Sequence, residues 1–233
     1  MQRLDKILSN SGYGSRKELK EYIKKGLVRV NARVVKSPEE HVNPETDEIF
    51  LNGEKLIYKK FIYIMMNKPA GVLTAARDKN QKTVYDLLPE FYKKFDLSSV
   101  GRLDKDTEGL LVLTNDGNGI HKLISPKKHK DKVYFAVLEK ELTEQDILTF
   151  QNGIDIGGYV AMPAKLQICE RNTEAYITLH EGKFHQVKRM FEALENKVLF
   201  LKRVKIGGLK LDPSLELGKM RELTEEEVRQ LYE

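Results

Sequence analysis

In the stretch VGRLDKDTEGLLVLTND, positions 100–116, three acids (Asp104, Asp106 and Glu108) fall in one glycine-bounded loop, and the apolar run Leu110–Leu113 follows at once. Such a run predicts a buried strand, so the loop is tied directly to the core. A carboxylate held there is rigid and partly desolvated, which suits a nucleophile or a general base. A loop acid that only caps backbone N–H groups fits the same spacing. The stretch EGKFHQVKRMFEALEN, residues 181–196, bears on the choice. Val187, Met190, Phe191 and Leu194 repeat at helical spacing and predict a core stripe. Lys188 and Arg189 flank that stripe near the start of the helix. A cation there wants an acid, and Asp104 is the candidate; spacing alone does not separate Lys188 from Arg189 as its partner.

The elements around these residues read as α+β. Strands are expected in FIYIMMNKPAGVLTA, GLLVLTN, KVYFAVLEK, AYITLHEG and RVKIGGLKL, and helices in TEQDILTFQNG and HQVKRMFEALEN. The order lacks a regular βαβ alternation, so a mixed, mostly antiparallel sheet flanked by helices and loops is expected. There is no internal repeat, and no glycine-rich loop of the dinucleotide or Walker type.

Upstream lies a smaller module. RLDKILSNSG places Leu4, Ile7 and Leu8 at helical spacing before Gly12. SRKELKEYIKKG then opens with Ser15 and Glu18 spaced as a capping box and closes on Gly26. LVRVNARVVK predicts a hairpin around Asn31–Ala32. A Glu/Pro/Asn-rich stretch leads out, placing a boundary near Asn52–Lys60 and domains at 1–58 and 59–233. Residues 1–36 carry ten Lys/Arg against three Asp/Glu, whereas the rest of the chain carries 30 against 32. The whole excess of the net charge of +5 therefore sits at the N-terminus. Lys17, Lys20 and Lys24 share one helix face with Arg16 beside them and no partner acids expected, which favours a docking patch for a polyanion.

The bulk numbers exclude other classes. No run of about 18 apolar residues is present to span a membrane, and the start MQRLDKILSN lacks a secretory apolar segment. A cytoplasmic location is expected. The single cysteine, Cys169, allows no internal disulfide and no thiolate metal site, and reads as a small buried hydrophobe. His121, His129, His180 and His185 show no metal-ligand spacing.

Two resemblances follow from these residues. RLDKIL…SRKELKEYIKKGLVRVNARVV resembles the S4 RNA-binding module, which implies RNA as ligand and Arg3, Arg16, Lys17, Lys20 and Lys24 as contacts. Gly101-Arg102-Leu103-Asp104-Lys105-Asp106-Thr107-Glu108-Gly109-Leu110-Leu111 matches the G-R-L-D-x-x-T-x-G-L-L signature of RsuA-type pseudouridine synthases without departure. The likeness continues through NKPAG, KVY, EGKFHQVKRMF and the RVKIGGLKLD…LGKMRELTEEE tail, so it covers essentially the whole chain. It implies isomerisation of uridine to pseudouridine in ribosomal RNA, with Asp104 as nucleophile. Lys188, standing where related synthases carry arginine, is implied as its cation. Tyr134 is implied as the active-site tyrosine, and Arg102 as the residue that fills the space of a flipped-out uridine. Arg189, His185, Gln186 and Lys132 are expected to contact substrate. Asp106 and Glu108 read as solvent-facing, because an isomerase needs one nucleophile rather than a glycosidase pair. The run SPKKHKDKVY reads as an RNA-contacting loop or a solvated one. No metal or organic cofactor is implied.

The spelling EGKFHQVKRMF resembles the small-subunit type, so the expected activity is that of a 16S rRNA pseudouridine-516 synthase, acting as a monomer on a pre-ribosomal particle. A large-subunit (23S) synthase, a non-catalytic S4-type assembly factor and a uracil-releasing hydrolase are the other readings.

Overall fold

The computed structural model describes residues 1–56, 58–124 and 130–233. Residues 125–129, which hold Lys127, Lys128 and His129 of the lysine run, lie outside the described residues. The chain divides into two compact units: 1–62 with 87–98 and 114–116, and 63–86 with 99–113 and 117–233. The first thus includes segments that lie, in sequence, beyond residue 58.

In the first unit, helices α1 (Leu4–Asn10) and α2 (Arg16–Lys24) precede strands β1 (Val28–Val30), β2 (Arg33–Val35), β3 (Ile49–Leu51) and β4 (Glu54–Lys55). The strands form an antiparallel sheet in the order β2-β1-β3-β4. Leu4, Ile7, Leu8, Leu19 and Ile23 of the helices close with Val28, Val30 and Ile49 into one core. The α2 capping box forms as the spacing requires: Glu18 N donates to Ser15 Oγ at 3.3 Å, and Ser15 N donates to Glu18 Oε2 at 2.9 Å. Phe95, on a segment distant in sequence, packs against Gly12, where a Cβ would lie 2.9 Å from the ring and φ is +77°.

Arg16, Lys17, Lys20 and Lys24 are all exposed. Two details differ from the sequence expectation. Lys24 has an acid within reach, Glu21 at 3.9 Å, because an i, i+3 pair shares the helix flank. Arg3, with its side chain 39% exposed, forks its guanidinium onto the buried Asp5 at 2.9 and 3.1 Å and reaches Glu39 at 3.2 Å. These contacts give Arg3 a structural role within the module beside the RNA contact expected of it.

In the second unit the strands are β5 (Tyr63–Lys68), β6 (Glu108–Thr114), β7 (Lys132–Leu138), β8 (Lys165–Ile168), β9 (Glu174–Leu179), β10 (Val198–Ile206), β11 (Leu209–Lys210) and β12 (Met220–Glu222). The sheet path is β8-β9-β7-β10-β6-β5-β12, with β11 paired to β10. Pairs β8–β9, β9–β7, β7–β10 and β5–β12 are antiparallel, and β10–β6 is parallel. This is the mixed, mostly antiparallel α+β sheet expected. All six residues of β5 are buried, and so are all of β6 after Glu108, which is why these strands read as continuous apolar runs. Helices α3 (Gly117–Ile124), α4 (Glu144–Asn152), α5 (Gln186–Glu192) and α6 (Glu225–Leu231) complete the unit. Phe150 of α4 and Phe191 of α5 meet with ring centroids 5.1 Å apart, fixing α5 over the core.

Candidate active site

The acidic loop runs between Gly101 (φ +73°) and Gly109 (φ +101°). At Gly109 the choice is forced, since a Cβ would stand 2.2 Å from the Arg203 carbonyl oxygen on β10. Backbone groups hold the loop from within. Lys68, the last residue of β5, is fully buried, and its Nζ donates to the carbonyls of Asp104 (3.0 Å), Lys105 (3.2 Å), Thr107 (2.9 Å) and Pro69 (3.1 Å). Arg203, 1% exposed, donates from Nε to Leu110 O at 2.8 Å and from Nη1 to Arg102 O at 3.4 Å. Thr74 Oγ1 donates to Leu103 O at 2.9 Å, and Gly71 N donates to Lys105 O at 2.8 Å. Two buried cations and a threonine thus bind the loop through its main chain, leaving the Asp104 carboxylate free to point outward. The acids also answer these cations: Asp106, Asp104 and Glu108 all favour the charged form of Lys68, although burial dominates and lowers its pKa from 10.5 to about 8.

Asp104 is 29% exposed at the side chain. Its Oδ2 lies 3.9 Å from Lys188 Nζ and its Oδ1 lies 3.6 Å from His185 Nε2. Lys188 stands nearer to Asp106, with Nζ to Oδ1 at 2.5 Å, and that hydrogen bond lowers the Asp106 pKa. Asp106 is therefore more than a solvated acid: 71% exposed, it steers the ammonium that Asp104 shares.

Arg189 is not beside the acids. Its guanidinium donates to the Ile156 carbonyl and, at 3.1 Å, to that of Gly157, so it anchors a neighbouring loop. Gln186 is buried, accepting from Lys183 N at 2.9 Å and donating to Glu181 Oε1 at 2.7 Å. Both were expected to contact substrate; in this structure Gln186 and one guanidinium nitrogen of Arg189 are bonded to the frame around α5. Lys132 is also turned inward, donating to Lys130 O at 3.2 Å, with its pKa lowered by burial. His185 occupies the α5 N-cap in a left-handed conformation (φ +49°) without capping through its side chain. Arg102 is exposed. Tyr134 is 8% exposed and sits opposite Arg203 in the β7–β10 pairing, while Gly109 sits opposite Arg203 on the other side. Tyr134 and the end of the acidic loop therefore lie in one row across three strands, about 10 Å apart.

Lys68 and Arg203 escaped sequence reasoning because lysine and arginine are rarely fully buried. A signal existed in YIMMNK, where a lysine ends an otherwise unbroken buried strand. Among the described residues, no three His, Cys, Asp or Glu side chains are grouped to hold a metal ion.

A basic helix-pair-and-hairpin module, joined to a mixed sheet that presents one aspartate beside a helix-borne lysine, defines a two-part RNA-modifying enzyme. The chain belongs to the RNA pseudouridylate synthase family, whose model matches residues 62–193, and residues 2–49 match the S4 domain. It is 50% identical to an uncharacterized RNA pseudouridine synthase of Bacillus subtilis, over 99% of this chain and 98% of that one. Ribosomal small subunit pseudouridine synthase A of Vibrio cholerae is 40% identical over 99% of both chains. Ribosomal large subunit pseudouridine synthase B of B. subtilis is 37% identical, over 99% of this chain and 96% of that one. A crystal structure of a pseudouridylate synthase superposes with a TM-score of 0.69 at 37% identity, covering 99% of this chain and 100% of that one.

Proposed function

We propose that this enzyme converts one uridine of 16S ribosomal RNA, at the position of uridine 516, to pseudouridine, with Asp104 as nucleophile. The observation that carries the reading is the Asp104 carboxylate presented outward on a main-chain-clamped loop, 3.9 Å from Lys188 Nζ. Ionised Asp104 attacks the ribose, at C1′ or by elimination starting at C2′, and the C1′–N1 bond breaks. The freed uracil rotates and C5 bonds to C1′ as the Asp104–C1′ bond breaks or, in the elimination branch, as Asp104 returns the proton to C2′; the C5 proton then leaves and N1 takes up a proton, so no water is gained or lost. Lys188 stabilises the carboxylate as an anion before attack. A stacked base cannot reach this aspartate, so the uridine is flipped out, with exposed Arg102 filling its place and Tyr134 stacking on the base.

Residues 1–58 act as the docking module, with Arg16, Lys17, Lys20 and Lys24 on phosphates, and residues 59–233 as the catalytic domain. The enzyme acts in the cytoplasm as a monomer on a pre-ribosomal particle. The 16S target is supported by the spelling EGKFHQVKRMF and by 40% identity to a small-subunit synthase; 37% identity to a large-subunit synthase supports 23S as the second reading. Mapping pseudouridines in both rRNAs from cells with and without the gene tests it. Loss of one 16S site is expected, and loss of a 23S site instead transfers the target.

A further inference from the structure

The sheet-to-helix segment before α5 carries an aromatic side chain that packing does not explain. Phe184 is 74% exposed, and its ring lies face to face on that of His185, with centroids 3.8 Å apart and planes 19° apart. His185 in turn is 3.6 Å from the Asp104 carboxylate. The left-handed backbone at His185 (φ +49°) that presents this stack is a conformation a non-glycine residue adopts only at a cost. A rigid polar frame maintains it. Buried Glu181 accepts from Gln186 Nε2, from Met162 N at 2.9 Å and from Tyr159 Oη at 2.8 Å. Arg189 holds the Ile156–Gly157 turn, and Lys183 Nζ sits 4.3 Å above the Tyr159 ring. Tyr159, Val160 and Met162 are also exposed, and Tyr159 and Met162 are tied to the same Glu181.

We propose that Phe184, backed by His185, is the stacking platform for an unpaired nucleobase next to the target uridine. This rests on the proposed function and names a further substrate contact for it. Flipping one nucleotide breaks its stacking with both neighbours, and an open aromatic face within one nucleotide's reach of the nucleophile replaces one of those stacks. Every base has a π-face, so the platform secures the flanking nucleotide whatever its identity. A protein partner is disfavoured because the Phe184–His185 stack adjoins the aspartate that the uridine must reach.

The test uses the full-length protein and ribosomal RNA purified from cells lacking the gene. Binding is followed by filter retention over a series of salt concentrations, and pseudouridine formation is followed on the same RNA. Phe184→Ala is expected to weaken binding about tenfold or more without changing the slope of log K against log salt, because stacking releases no counterions. KM should rise in step, and Phe184→Tyr and Phe184→Trp should restore both. Binding by the Ala variant at the original strength overturns the platform. So does rescue by Phe184→Leu equal to that by Tyr, or a loss accompanied by a flatter salt slope. If the unsubstituted protein binds this RNA but forms no pseudouridine on it or on pre-ribosomal particles from the same cells, the proposed activity fails, while the binding arm still decides the platform.

Discussion

Replacing Lys68 by methionine keeps a buried chain of similar length and removes the ammonium. Four carbonyls then lose a charged donor, three of them on the acidic loop, although Thr107 N still donates to Asp104 O and Gly71 N to Lys105 O. At about 1.5 kcal/mol for each hydrogen bond lost from the charged group the gross loss is about 6 kcal/mol. Against it stands the penalty the native protein carries for a buried charge. The fall from 10.5 to about 8 in the Lys68 pKa corresponds to about 3 kcal/mol. The net expectation is a destabilisation of about 3 kcal/mol, centred on the loop that carries Asp104. A displacement of about 1 Å at the nucleophile costs about a hundredfold in rate, so kcat should fall by at least that factor while RNA binding persists.

The same residue gives a paired pH signature. Below pH 8 Lys68 is protonated in both folded and unfolded chains, and the fold bears the full penalty. Between about 8 and 10.5 the unfolded chain holds the proton and the folded one does not, so the Lys68 contribution to stability rises with pH. Loss of the ammonium loosens the loop, so kcat should fall through the window in which stability gains. Urea unfolding and single-turnover rates on the native and Lys68→Met proteins from pH 7 to 10 measure both. A Lys68→Met enzyme with native kcat, or a native enzyme whose kcat is flat across pH 8, refutes the clamp.

Further substitutions probe other contacts. Gly109→Ala forces a Cβ into the Arg203 carbonyl at φ +101° and should cost about 3 kcal/mol or more in denaturant unfolding. Lys188→Met should slow single-turnover chemistry about a hundredfold, whereas Arg189→Met should chiefly raise KM by freeing the Ile156–Gly157 turn. If Arg189→Met instead slows the single-turnover step and Lys188→Met does not, the ion-pair role passes to Arg189. Changing Arg16, Lys17 and Lys20 together to glutamine should flatten the salt slope of RNA binding by about 2. An unchanged slope removes this face from docking.

The resemblance in GRLDKDTEGLL placed the aspartate before any coordinates, and local chemistry placed the Ser15–Glu18 cap and the Asn31–Ala32 hairpin. Lys188 and Arg189 differ by one position, and spacing on a helix tells only which flank each takes. What each meets depends on loops from distant sequence: the acidic loop for Lys188, the Ile156–Gly157 turn for Arg189. Gln186 read as a substrate contact from the resemblance alone, and nothing in the local sequence announces that it is buried with Glu181 and Lys183 as its partners. The strand Lys165–Ile168 carried no strong pattern. Helix Glu225–Leu231, by contrast, opens with Thr224 and Glu227 at capping-box spacing, a signal legible in the sequence. Phe95 joins the first unit through a tertiary contact with Gly12, for which no local signal exists.

The central claim is that Asp104 performs the chemistry while the loop's main chain, not its carboxylate, holds the site together. Asp104→Asn keeps shape and every carbonyl bond of the loop, so the most direct measurement is pseudouridine formed in rRNA from gene-deleted cells by native and Asp104→Asn proteins, with RNA binding measured alongside. One new pseudouridine with the native enzyme, none with Asp104→Asn, and equal RNA binding by both is the predicted result. Pseudouridine formed by Asp104→Asn at the native rate would contradict the account.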